Sequence, residues 1–156
     1  MQRLLPYFSF KGRANRQRYW VTAITIAVFF FLSVLVLAVL QRIPMIGLLF
    51  GLVLIGAILA AIAAVIANGA RRLHDRNKSA WWLLLFQGLP FLLGTLGTIA
   101  RVGGGEGGMA ASAALSVLSL PVSIWAFVEL GCLRGTVGPN RFGADPLAAP
   151  LDEVFA

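Results

Sequence analysis

The run "VTAITIAVFFFLSVLVLAVL", residues 21–40, holds twenty residues without one charged side chain. Coiled as a helix at about 1.5 Å per residue, it matches the roughly 30 Å hydrocarbon core of a bilayer. It lacks a small-residue cleavage site, so it reads as an anchor rather than a removable signal. The whole chain shares this character. Hydrophobic residues make up 59% of its 156 positions and charged residues 12%, against about a quarter charged in an ordinary soluble domain. A soluble fold of this length has too little interior to hide that much apolar surface. The solvent that fits is lipid.

Outward from that run, three more stretches are apolar enough to span: Met45–Ala67, Trp81–Ile99 and about Ala110–Leu130. The last carries Pro121 mid-span and Glu129 near its end; neighbouring helices can satisfy the backbone groups that such a proline frees. The basic residues sort by these boundaries. Of 13 Lys and Arg, all but Arg42 and Arg101 precede the first span, lie in the 68–80 connection or follow the fourth. The positive-inside rule then puts both termini in the cytoplasm. The expected fold is all-α and integral to the membrane, a four-helix transmembrane bundle. Residues 1–20 form an interfacial segment, 21–146 the membrane domain and 147–156 a short tail. Topology accounts for the net charge of +7, so nucleic acid is not an expected partner.

Small residues suggest how the helices pack. Gly47 and Gly51 form a GxxxG, and Gly56, Ala60, Ala64 and Asn68 repeat every four residues. Ser112, Ser116, Ser119, Ser123 and Ala126 recur at alternating intervals of four and three. Such faces let helix backbones approach closely, so spans two and four are expected inside the bundle and the Phe- and Leu-rich first span against lipid. The "RVGGGEGGM" stretch (101–109) reads as a flexible outer linker. Its glycines follow no strand, which removes the context a nucleotide-binding loop needs.

The polar density lies on one face of the membrane. "FKGRANRQRYW" (10–20) precedes span one, and a helix starting after Gly12 would align Arg13, Arg16, Gln17 and Trp20. "RRLHDRNKSAWW" (71–82) joins spans two and three. Positions 68–75 can extend the second helix, placing Arg71 and Asp75 four apart for pairing, with Asn77 and Ser79 in a turn. Tyr19, Trp20, Trp81 and Trp82 stand at headgroup level, where aromatic rings anchor helices. "GTVGPNRFGADP" (135–146) follows span four. The "HD" pair is adjacent in a helix and points about 100° apart, so His74 and Asp75 make no dyad. One His and one Cys leave too few ligands for a metal site. No cofactor and no catalytic residue is expected, and His74 reads as a hydrogen-bonding group.

"GRANRQRYW", "ARRLHDRNKSAWW" and "GPNRFGADP", in this order around apolar spans, resemble the bacterial inner-membrane family catalogued as domain of unknown function 805. The resemblance covers about residues 8–146. It is carried by Gly12, Arg13, Arg16, Tyr19 and Trp20, by Arg71, Arg72, Leu73, His74, Asp75, Ser79 and Trp82, and by Gly138, Asn140, Arg141, Gly143, Asp145 and Pro146. The chain departs at Asn77 and Ala80, where the family usually has glycine, and in a longer outer glycine loop. The resemblance implies a multi-pass protein of the bacterial inner membrane and brings no activity with it.

The three motifs are expected to converge in one cytoplasmic cap of Arg13, Arg16, Arg71, Arg72, His74, Asp75, Asn140, Arg141 and Asp145, with Glu129 as a further acceptor. Asp75 and Asp145 would pair with some of the arginines. Two uses compete: a locked network that fixes helix ends, and a site for an anionic lipid headgroup, whose phosphate suits Arg forks. Three function classes stand beside one another. They are an accessory or structural subunit docking on another membrane complex or on itself, an oligomeric small-solute transporter or channel, and a headgroup-level enzyme. Of these the accessory subunit ranks first.

Overall fold

Asn15 sets where the first helix begins. Its side-chain Oδ1 accepts the Arg18 backbone N–H at 2.9 Å, satisfying one of the donors that a helix start leaves open. The first helix, α1, therefore runs Arg16–Leu40, five residues earlier than its apolar run. The computed structural model describes residues 8–40 and 42–148. Arg3, the rest of residues 1–7 and the tail beyond Ala148 lie outside the described residues.

Helix α2 spans Pro44–Asp75 and carries "RRLHD" on its last turns. It ends in a Schellman motif, with Lys78 N–H donating to Leu73 C=O at 2.8 Å and Asn77 N–H to His74 C=O at 3.0 Å. Asn77 takes the left-handed conformation this requires, φ +57°. Asn tolerates that region better than any residue but glycine, which reconciles Asn77 with a position where glycine is usual. Asn77→Gly should leave the thermal midpoint in detergent unchanged or raise it, whereas Asn77→Ala should cost about 1 kcal/mol.

Helix α3 covers Leu84–Gly103 and opens with a π-helical turn, Leu84–Gly88. Pro90 lies just beyond it, and a proline has no N–H for the usual i→i−4 bond. Helix α4 covers Gly105–Cys132; it holds Pro121 and ends in a second π turn, Val128–Cys132. Four helices are thus long and apolar enough to cross a membrane, and the fold is an all-α membrane bundle.

The α3–α4 connection corrects the linker reading. Helix α3 stops at Gly103 and α4 starts at Gly105, so the glycines make a tight helical turn. A Cβ on Gly108 would stand 2.0 Å from the Ala100 carbonyl oxygen, so backbone packs on backbone there. Lower down, Ser112 is buried beside Gly97.

Helices α1 and α2 pack as one hairpin and α3 and α4 as another. They join at the cap end, where Ala70, Leu73, Leu83, Phe86, Ala126 and Leu130 form the buried core. The outward side of α1, with Val21, Ile24, Val28, Phe31, Leu35 and Val39, is exposed and suited to lipid. The interior position expected for the small-residue face of α2 holds at Gly47 and Ala64 but not at Gly56 and Ala60, which are exposed. The serine seam divides likewise: Ser112 and Ala126 are buried, Ser119 and Ser123 half-buried, Ser116 exposed. The last turn of α4 is what meets α1 and α2, so contact falls at the helix ends rather than along their whole length.

Candidate functional site

The end of α4 poses a problem that its own sequence does not solve. The last carbonyls of a helix lack internal partners, and here Leu130 and Gly131 are buried. Four consecutive carbonyls are taken up by side chains from the other two motifs. Leu130 C=O accepts from Arg72 Nε at 2.7 Å and Gly131 C=O from Trp20 Nε1 at 3.1 Å. Cys132 C=O accepts from Arg16 Nη1 at 3.0 Å, and Leu133 C=O from Arg72 Nη2. Cationic donors suit this place, because a helix C-terminus carries partial negative charge.

Asp75 holds the arrangement together. Its Oδ1 accepts from Arg13 Nε at 3.0 Å and its Oδ2 from Arg72 Nη1 at 2.5 Å, and Asp75 is 2% exposed. Arg72 is fully buried, and Arg13 is 7% exposed. Arg13 continues into the third motif, donating to Thr136 C=O at 2.5 Å and Gly138 C=O at 2.6 Å. The Asp75 backbone carbonyl in turn accepts from Thr136 N–H and Oγ1 at 2.8 and 3.0 Å. A buried charge without partners is expensive; here one carboxylate is shared by two guanidinium groups whose remaining donors reach carbonyls.

His74 sits on the other side of Asp75's turn. Its Nδ1 lies 3.2 Å from the Gly12 carbonyl, so Nδ1 carries the proton and donates. The ring stacks on Phe142 at 4.0 Å between centroids. Asn140 Nδ2 donates to the His74 carbonyl at 2.9 Å. Arg141 Nη2 donates to the Asn77 carbonyl at 3.2 Å, and its guanidinium lies over the Phe142 ring. The third motif is thereby bound to the end of α2 by four of its residues.

Several pairings differ from the sequence expectation. Arg71 does not pair with Asp75; its Nε donates to Ala67 C=O at 3.3 Å within its own helix, and its carbonyl accepts from Ala14 N–H at 3.1 Å. Arg72, three residues from Asp75 rather than four, forms the ion pair. Arg13 precedes α1 and points into the cap, so it shares no helical face with Arg16, Gln17 and Trp20. Arg16 meets a carbonyl rather than a carboxylate.

Asp145 forms no ion pair among the described residues. It closes the last turn instead, with Oδ2 accepting from Gly138 N–H at 2.8 Å and Oδ1 from Leu147 N–H at 3.0 Å. These two backbone donors hold its carboxyl below the usual carboxylate range. A folded pKa lowered in this way adds stability above the unfolded value of about 3.9, and that contribution fades as pH falls through the lowered one. Acidification from neutral to below pH 4 should therefore lower the exchange protection of the Gly138 and Leu147 amides, measured against their intrinsic rates at each pH, before the helices loosen.

Glu129 accepts from Arg76 Nε at 3.0 Å and pairs with Lys78 Nζ at 2.8 Å. The aromatic residues divide. Trp81 is 77% exposed and free to meet headgroups. Trp82 instead packs on Phe86 and Trp125 beneath Lys78, and Tyr19 lies against the buried core. These two are packing residues before they are anchors, and Trp20 is a helix-capping donor.

Gly135, Thr136 and the four carbonyls at 130–133 carry much of the cap, and the sequence reading passed over them. A Cβ on Gly135 would lie 2.0 Å from Asp75 Oδ2. A glycine's need for space against a residue sixty positions away leaves no local sequence signal.

A sequence model described as "Protein of unknown function (DUF805)" matches residues 7–144. The chain belongs to this family. It is 30% identical over 144 residues to the inner membrane protein YhaI of Escherichia coli K12, covering 92% of this chain and 90% of that one. It is 32% identical over 155 residues to the inner membrane protein YhaH of the same organism, covering 94% of each. No solved structure matches the chain. The protein is an integral inner-membrane protein, and the family match takes in the first two cap motifs whole and the third as far as Ala144.

Proposed function

We propose that this protein is a structural or accessory subunit of the inner membrane. In this reading both termini are cytoplasmic, and α2 docks on a transmembrane helix of another complex or of a second copy. The observation that carries it is the small-residue stretch of α2. Gly56 and Ala60 are exposed, and a Cβ built on Gly51 or Gly56 would meet nothing within 4 Å. Backbone so accessible offers close approach to a partner helix. The cap favours a supporting role for itself, since Arg13, Arg72 and Asp75 are committed to one another and to buried carbonyls.

Transport finds less support. Thr95, Thr98, Ser116, Ser119 and Ser123 donate their hydroxyl protons to carbonyls of their own helices. They do not converge on a polar path. Anionic lipid is proposed as a peripheral contact of the exposed Arg16, Arg18, Arg134 and Arg141. A dimple of about 180 Å³ beside Arg16 and Arg134 also has Asp145 in its wall, which opposes an anion seated there.

The test is native mass spectrometry of the full chain after gentle membrane extraction. A larger assembly is expected, and Gly56→Leu should reduce its recovery at least tenfold while the monomer remains folded. A bare monomer from the native membrane, or an assembly indifferent to Gly56→Leu, would overturn the reading.

A further inference from the structure

Between the two hairpins, α1, α2 and α3 flank a cleft of about 730 Å³. Its walls are apolar, with Ile26 and Phe30 from α1, Ala61 and Val65 from α2, and Phe91 from α3. The volume falls within the roughly 300–1,000 Å³ of small-molecule sites. One lining residue is polar. Gln87, in the π turn of α3, is half-buried and makes no hydrogen bond among the described residues. Its amide nitrogen lies near α2, 3.5 Å from where a Cβ on Gly69 would stand. At the neighbouring position, Asn68 is 2% exposed and its Oδ1 has no hydrogen-bond partner. Polar groups at membrane depth need partners, and the protein supplies none to the Gln87 amide.

Depth identifies what would supply one. Gln87 lies five residues beyond the cap-end Trp82, about 7 Å further along the helix. That is the headgroup–acyl boundary, roughly 5–10 Å deep, where glycerolipids carry their ester carbonyls. We infer that the cleft binds one glycerophospholipid, with an acyl chain between α1, α2 and α3 and an ester carbonyl accepting from the Gln87 amide. A carbonyl suits the open donor of Gln87, and the chain suits walls that offer only dispersion contact. The opposite occupant, a helix of a second copy, would bring backbone carbonyls already bonded within that helix. The inference is independent of the docking face, since Gly51, Gly56 and Ala60 do not line this cleft.

The experiment titrates the full chain in detergent with a diacyl phosphatidylethanolamine and separately with its diether analogue, reading bound lipid by native mass spectrometry. One diacyl lipid should bind saturably per chain. Ala61→Trp, which fills the cleft, should weaken it at least tenfold with helix content retained. Gln87→Leu should weaken the diacyl lipid about threefold to tenfold, as the loss of one hydrogen bond predicts, and leave the diether lipid unchanged. If Ala61→Trp does not fold, the Gln87→Leu comparison decides alone. Graded, unsaturable lipid adducts in the wild type would overturn the inference, as would a lipid-free dimer. Equal effects of Gln87→Leu on both lipids would do so too.

Discussion

Arg72→Ala is expected to destabilise the folded chain by about 3–5 kcal/mol, the cost of removing one partner from a buried ion pair. The loss has two sources. Asp75, 2% exposed, would keep only Arg13, and the Leu130 and Leu133 carbonyls at the end of α4 would lose their donor. Unfolding in detergent, followed by tryptophan fluorescence and far-UV circular dichroism, measures it. Arg72→Lys separates charge from geometry. An ammonium cannot donate in three fixed directions as a guanidinium does, so Lys should recover less than half of the loss. Wild-type stability in Arg72→Lys would mean that charge alone matters at this position.

Gly135→Ala is the second large effect, at least about 2 kcal/mol, from overpacking against a buried charge. The methyl would stand 2.0 Å from Asp75 Oδ2 and displace the oxygen that Arg72 holds. The mechanism predicts coupling. In the background of Asp75→Ala the space is vacated, so adding Gly135→Ala should cost far less than it does alone. Contacting residues deviate from additivity by about 0.5–3 kcal/mol in such cycles, and the Asp75–Gly135 pair should lie at the upper end. Strict additivity would show that Gly135 acts through its own backbone.

Both predictions involve contacts across more than fifty residues, Arg72 with the end of α4 and Gly135 with Asp75, and that is where sequence reading ran out. It read the helices well, because span length and uncharged composition are local properties set by the bilayer. It also read the continuation of α2 through "RRLHD" and the turn at Asn77, where the chain's own periodicity and turn chemistry suffice. It misread "RVGGGEGGM", because glycine runs serve flexible linkers and tight helix contacts alike; only the nearness of Ala100 to Gly108 distinguishes them. It misassigned Arg71 and Asp145 for a related reason. Helical spacing permits an Asp75 pair with either Arg71 or Arg72, and the decision falls to what lies beyond each guanidinium. Arg72 faces the end of α4, whereas Arg71 turns back on its own helix.

The sequence by itself determined a four-span membrane protein with its polar motifs gathered on one face, since hydrophobicity and charge act on each segment independently. Only the tertiary structure decided that these motifs form a buried clasp over the carbonyls of α4. Only it left the Gly56–Ala60 face and the apolar cleft uncovered. Hydrogen bonds and close packing depend on ångström-scale distances between residues remote in the chain, and such distances exist only once the helices have met.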